Sequence, residues 1–254
     1  MYNIQVPKGG EKMTQNTAIQ PKSWQIFSGS GLKVLAMFAM LTDHIALHLL
    51  SQYEVFTKTL CQVLDQNITV VYLLRSVGRW AFPLYCFLLV EGFVHTRNRK
   101  KYGTNLLIFA LVSEIPWNFV HTGEIWYDSQ NVFFTLFLGY LGLCIIEMCK
   151  DRPAPQICGL VLLFLLAFCL GADYGYKGYA LILCLYALRQ HIAIRTVVGA
   201  SLLSSPLRGG LSFIPMTMYN GQRGFIKGAI GKYACYAFYP VHLLLIGIIK
   251  YYFI

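Results

Sequence analysis

Several apolar runs in this chain are long enough to cross a bilayer, and that restricts what it can fold into. A hydrocarbon core about 30 Å thick takes about 20 consecutive apolar residues of helix. Such runs extend from about Leu32 to Leu50, Gly78 to Thr96, Tyr102 to Val120, Asn131 to Cys149 and Tyr233 to Tyr252. Shorter ones cover about Gln156 to Leu170 and Tyr174 to Leu188. From Ile192 to Tyr219 the chain is apolar but broken by Pro206 and Gly209–Gly210. It reads as two short spans in a hairpin, or as one long kinked helix. Ser51–Arg75 is mixed and amphipathic, an interfacial helix or a short extra span. Only 13% of the 254 residues are charged, about half the share of a soluble domain, so one soluble core cannot hide so many apolar helices. The expected fold is all-α, a polytopic transmembrane bundle of about eight or nine spans. Residues 1–30 form a polar cytoplasmic tail, 31–254 make one transmembrane domain, and no internal repeat is visible.

The charges give the expected orientation. The net charge is +10, but the basic residues sit in connectors, and no basic segment is long enough to fold alone as a nucleic-acid domain. With the N-terminus in the cytoplasm, the inner stretches hold Lys8, Lys12, Lys22, Lys33, Arg97, Arg99, Lys100, Lys101, Lys150, Arg152, Arg189, Arg195, Arg223, Lys227 and Lys232. That is 15 of the 21 Lys and Arg residues. The loop His121–Gln130 carries Glu124 and Asp128 and neither Lys nor Arg. This is the positive-inside pattern of a multi-pass protein of the inner, or cytoplasmic, membrane. The side of the C-terminus depends on how Ile192–Tyr219 is arranged. The polar start lacks the apolar core of a cleavable signal, so the first apolar run serves as an uncleaved signal-anchor. The eight cysteines include no C-x-x-C pair and lie mostly in apolar runs, which indicates neither a disulfide framework nor a zinc site. No metal is expected.

Charged groups inside a spanning helix are costly to bury and are functional candidates by default. An outer layer begins with Asp43, about 17 Å along the first run at 1.5 Å per residue. His44 is beside it and His48 one turn further out. Arg79 is at the outer end of the second run, Glu114 and Asn118 in the outer half of the third, and Asn131 opens the fourth. Asp173 and Lys177 flank the outer start of the sixth. Any one of these is as readily interhelical glue, worth about 0.6–2 kcal/mol; the whole layer is less simply explained so. His48 and His121 read as solvated at the interface. An inner layer holds Glu91 and His95, which share a helix face at i, i+4. They lead into Arg97–Lys101, which reads more readily as a topogenic cluster than as a ligand site. The connector Asn220-Gly221-Gln222-Arg223-Gly224, with Lys227 and Lys232, supplies the amides and cations that suit phosphate. Tyr239 and His242 fall on nearly one face, midway through the last run.

These features occur within an ordered set of motifs. They are Leu32-Lys33-Val34-Leu35-Ala36, Met40-Leu41-Thr42-Asp43-His44-Ile45, Val77-Gly78-Arg79-Trp80-Ala81-Phe82-Pro83-Leu84 and Val90-Glu91-Gly92-Phe93-Val94-His95-Thr96. Ser113-Glu114-Ile115-Pro116-Trp117-Asn118, Asn131-Val132-Phe133-Phe134-Thr135 and Asp173-Tyr174-Gly175 with Lys177-Gly178 follow. Tyr219-Asn220-Gly221, Arg223-Gly224, Lys232-Tyr233 and Phe238-Tyr239-Pro240-Val241-His242-Leu243 complete the set. Over roughly residues 30–250 the chain resembles the TraX family, named for a conjugal-transfer protein that acetylates the N-terminus of pilin. Its layout is similar to that of multi-helix membrane acyltransferases with a His in the first helix, an Arg-and-Phe-Pro helix next and a Tyr/His-bearing last helix. The resemblance implies transfer of an acetyl group from cytoplasmic acetyl-CoA to an amine or hydroxyl at the outer side. The acceptor would be a protein N-terminus or a glycan, with pilin not singled out.

On that reading His44 is the first choice of general base and His242 the second. Asp43 is about 100° round the helix from His44, so it need not orient that ring and is free to pair with Arg79 or Lys177. Arg79 would steady the oxyanion or bind an acceptor carboxylate. Glu114, Asn118, Asn131, Asp173, Lys177 and Tyr239 fall on the acceptor side. Glu91, His95, Asn220, Arg223, Lys227 and Lys232 fall on the donor side. The rival readings are a small-molecule or proton-coupled transporter, or a non-catalytic scaffold of a pilus or secretion system. The absence of a detectable inverted repeat counts against the first.

Overall fold

The computed structural model describes residues 22–63, 66–203 and 205–254; Lys8, Lys12 and most of the 1–30 tail lie outside them. Helix α1 (Gly29–His48) starts where Ser28 accepts the Gly31 amide at 3.2 Å, a standard N-cap. After a 3₁₀ turn (Leu50–Gln52) and the single turn α2 (Glu54–Thr57), strands β1 (Cys61–Val63) and β2 (Gln66–Ile68) pair antiparallel, Cys61 opposite Ile68. The stretch Ser51–Arg75 is therefore not one interfacial helix, and the bundle departs from all-α by this small exposed hairpin.

Helix α3 (Val70–Gly78), capped by Thr69, runs almost directly into α4 (Ala81–His95). The break at Arg79–Trp80 has a covalent cause: Pro83 has no N–H to give the Arg79 carbonyl. The second candidate span thus begins at Val70 rather than near Gly78, because Arg75 interrupts the apolar pattern there. Helix α5 (Arg99–Thr122) ends at Gly123, whose φ of +78° closes it in the left-handed region. Then come α6 (Val132–Met148), α7 (Pro153–Cys169) and α8 (Gly175–Ala187). The broken apolar stretch forms three short helices, α9 (Ile192–Ser201), α10 (Pro206–Gly210) and α11 (Phe213–Thr217), not one long kinked helix. The last helix is α12 (Gly228–Tyr252).

Among the described residues, three stretches are long and apolar enough to cross a membrane by length and composition: Gly29–Gln52, Val70–His95 and Gly228–Tyr252. Helices α6 and α7 are apolar but have 17 residues each. Helix α7 buries only Ala167 and leaves Leu162 66% and Phe168 65% exposed. An apolar surface of that extent requires lipid or protein against it. The core gathers Leu32 and Ala36 of α1, Leu84 and Phe93 of α4, Leu106 of α5, Leu143 of α6, Leu181 of α8 and Leu243 of α12.

Two contacts fix directions. Lys250 near the end of α12 donates to the Val120 carbonyl near the end of α5 at 2.9 Å, so these helices run the same way. His242, past the middle of α12, meets His44 near the end of α1, while Lys33 and Lys232 near their starts face one another, so α1 and α12 also run the same way. Residues 25–30 lie along 218–226: Gly29 N–H donates to the Gln222 carbonyl at 2.8 Å and Ser30 N–H to the Arg223 carbonyl at 2.9 Å. The Ser30 hydroxyl also donates to the Arg223 carbonyl and accepts the Ile226 amide, each at 2.8 Å. A Cβ on Gly224, at φ +86°, would meet the Ser30 side chain at 2.8 Å, so glycine is what lets this loop close over the start of α1.

Candidate functional site

One cavity of about 590 Å³ joins the two polar layers. Its mouth is cationic: Lys33 of α1, Arg97 and Lys101 around the start of α5, Arg223 of the late loop and Lys232 of α12 all line it. The amino-terminal ends of α1 and α5 open there through Gly29 and Asn98, and Asn98 caps α5 by accepting the Lys101 amide at 2.9 Å. Lys and Arg beside the N-terminus of α5 make a site for phosphate, whereas the first amides of α1 are already bonded to Gln222, Arg223 and Ser28. Glu91 and His95 line the same mouth. The throat is aromatic and apolar, with Tyr85, Leu88, Leu89, Tyr102, Leu106 and Tyr236. Lys33 and His44 are eleven residues apart on α1, so the mouth lies about 17 Å from the inner end.

That inner end carries Asp43 and His44 of α1, Asp173 and Tyr174 before α8, and Tyr239 of α12. His44 Nδ1 lies 2.8 Å from His242 Nε2, and His242 Nδ1 lies 2.7 Å from the Phe238 carbonyl. A carbonyl only accepts, so His242 carries its proton on Nδ1 and offers Nε2 as an acceptor. His44 therefore donates from Nδ1, which leaves its Nε2 with a free lone pair. His44 lines the cavity and His242 does not; His242 holds the tautomer of the ring in front of it. The Tyr239 hydroxyl is buried with no hydrogen-bond partner, its ring 6.2 Å from that of His44.

Asp43 pairs with Arg75, Oδ1 to Nε at 3.5 Å, not with Lys177, which is exposed on α8. A Cβ on Gly78 would sit 2.7 Å from Asp43 Cγ, so α3 approaches α1 closely only because that residue is glycine. Arg79 acts electrostatically on both Asp43 and Asp173 from outside the cavity lining. Tyr174 takes the left-handed region at φ +63°, uncommon for a bulky residue, and stacks on Phe82 with ring centroids 3.7 Å apart. The Thr135 hydroxyl donates to the Asp173 carbonyl, which ties this turn to α6.

Several polar residues expected at the site do other work. Asn131 caps α6 by accepting the Phe133 amide at 3.0 Å, and its side-chain amide donates to Glu114 at 2.6 Å and to the Ala110 carbonyl at 2.8 Å. Asn118 donates to the Ile125 carbonyl at 2.7 Å and shapes the following loop. None of these three lines the cavity. Asn220 accepts the Gln222 amide at 2.9 Å in a turn beside the lining Gly221, and Lys227 stands off the mouth. Arg195, expected in a cytoplasmic connector, is 6% exposed and lies over the Phe87 ring. His48, expected in solvent, is buried. Sequence reasoning missed Arg75, although its i, i+4 spacing from Arg79 is a usable signal, and it assigned Lys33, Arg97 and Lys101 to topology. Among the described residues no three His, Cys, Asp or Glu side chains are grouped to hold a metal ion.

Apolar helices around a cavity with a cationic mouth and a carboxylate–imidazole inner end define an integral membrane protein with a candidate ligand site. Residues 28–250 match the family model described as TraX protein. The chain belongs to the TraX family. It is 33% identical over 258 aligned residues to "Probable fimbrial assembly protein FimC, serogroup H1" of Dichelobacter nodosus, covering 87% of this chain and 94% of that one. No solved structure matches it.

Proposed function

We propose that this protein is a membrane acetyltransferase. It takes acetyl-CoA from the cytoplasm and acetylates an amine or hydroxyl reached from the outer side. The observation that carries the reading is the continuity of a single cavity from five cationic side chains to His44. Phosphates suit the mouth, an extended pantetheine arm suits the aromatic throat, and the thioester would then meet the polar inner end. There His44 Nε2 accepts the proton of the attacking group, and the unpaired Tyr239 hydroxyl donates to the oxygen on which charge develops. Asp43 and Asp173, both on the cavity wall, suit a cationic amine better than a neutral hydroxyl. We place the N-terminus in the cytoplasm of an inner-membrane protein; because α12 runs the same way as α5, the C-terminus then lies outside and the crossings are odd in number, nine when the α9–α11 excursion counts as two. The name of the relative, a fimbrial assembly protein, makes a pilus subunit the first acceptor to examine. A glycan is the alternative acceptor.

The test is mass spectrometry of envelope peptides and glycans from cells with the protein, without it, and with His44→Ala. One acceptor should gain the mass of a single acetyl group only in the first. Identical envelopes in all three would sink the acetyltransferase reading.

A further inference from the structure

The transfer step uses His44 and His242 but not two further imidazoles beside them. His48, one turn beyond His44 on α1, is 5% exposed and its Nε2 is buried without a hydrogen-bond partner. Its ring centroid lies 6.1 Å from that of His44 and 4.8 Å from that of His121 in the last turn of α5. His121 is half-buried and donates from Nδ1 to the Trp117 carbonyl at 2.8 Å, so its Nε2 is free to accept. It stacks on Tyr127 of the following loop at 4.9 Å. The rings therefore stand in file from the cavity to the loop after α5, with centroids 6.1, 4.8 and 4.9 Å from one to the next. A buried imidazole nitrogen left unpaired calls for a reason. Arg75 and Lys250 face His48, and Lys250 also faces His121. Both are cations and repel a charge on these rings, so a proton crosses the file in transit and does not rest on it.

We infer that His48 and His121 carry protons between His44 and the outer face. This rests on the acetyltransferase reading, with an acceptor that arrives as an ammonium ion, and the proton count gives it a purpose. When the C–N bond forms and the C–S bond breaks, an ammonium acceptor gives up two protons in becoming an amide. The CoA thiolate takes one. The other is left on His44 and must leave before the next cycle; the file offers it a way out that does not pass the bound donor.

The experiment uses the intact protein in its cells and follows the rate at which the envelope acceptor gains acetyl groups, in weakly buffered medium. His48→Ala and His121→Ala should slow it several-fold, and external imidazole, a small diffusible base, should restore the rate. His48→Gln should behave the same way if His48→Ala fails to accumulate. Purified variants should keep the parental thermal stabilisation by acetyl-CoA, which shows that the donor site is folded. A parental rate in weak buffer, or a slow rate that imidazole leaves unchanged, would mean that these histidines only pack, with acetyl transfer itself intact. Equal acetylation with and without the protein would instead remove the acetyltransferase reading, and the proton path with it.

Discussion

His44 and His242 look equivalent as residue types, and their hydrogen bonds separate them. The Phe238 carbonyl fixes the proton on His242 Nδ1, and that choice sets the tautomer of His44. His44→Ala and His44→Gln should each lower turnover by about 10²–10⁴-fold, with the protein still inserted and still stabilised by donor. Parental turnover in both variants would return His44 to a packing role. His242→Phe should cost less and should shift the pH profile, because under the proposed mechanism the base survives but its orientation does not. The same distinction applies to carboxylates. Asp43 faces the cavity with Arg75 behind it, whereas Glu114 accepts from Asn131 within the frame. Buried polar side chains in a membrane bundle thus divide by whether their free atoms face the cavity.

At the scale of elements, the site depends on two joints. The first is the close approach of α3 to α1 at Gly78. Gly78→Ala forces either the Asp43 carboxyl or the helix to move, and overpacking of this kind costs about 1–3 kcal/mol. Thermal unfolding in detergent should show that loss together with a fall in turnover; a variant as stable and active as the parent would show that the joint can open freely. The second is the α6 start, where Asn131 satisfies the Phe133 amide and ties α6 to α5. Asn131→Ala should cost about 1–2 kcal/mol through the lost cap. The donor-induced rise in melting temperature should be unchanged, since Asn131 does not line the cavity.

At the scale of the whole molecule, the mouth and the inner end belong to opposite halves of the bundle, which gives two measurable consequences. Acetyl-CoA should raise the melting temperature of the purified protein, and the rise should shrink with added salt because exposed charge contacts are screened. Arg223→Ala should also shrink it; an unchanged rise would take Arg223 out of the donor site. Single cysteines in a background without the native ones should report the orientation. Under the proposed topology an impermeant reagent applied to intact cells labels Asp128→Cys and spares Lys100→Cys, and the opposite pattern would invert the protein.

The sequence by itself determined that this chain lives in lipid, where most of its helices run, and which side chains are too costly to bury without a use. Those properties depend on local composition and on the fixed rise of a helix, so they are legible along the chain. It could not show that Asp43 meets Arg75, that Asn131 and Glu114 brace the frame, or that Lys33 and Lys101 share a cavity with His44. Each of those depends on which faces of distant segments meet, and a helix turned by a single residue, about 100°, presents a different face. The small hairpin at Cys61–Ile68 and the three-helix form of Ile192–Tyr219 were hidden for a related reason. Short elements carry too few residues to show a period, and their shape is set by the neighbours they pack against. The tertiary structure decided which of the costly residues make a site.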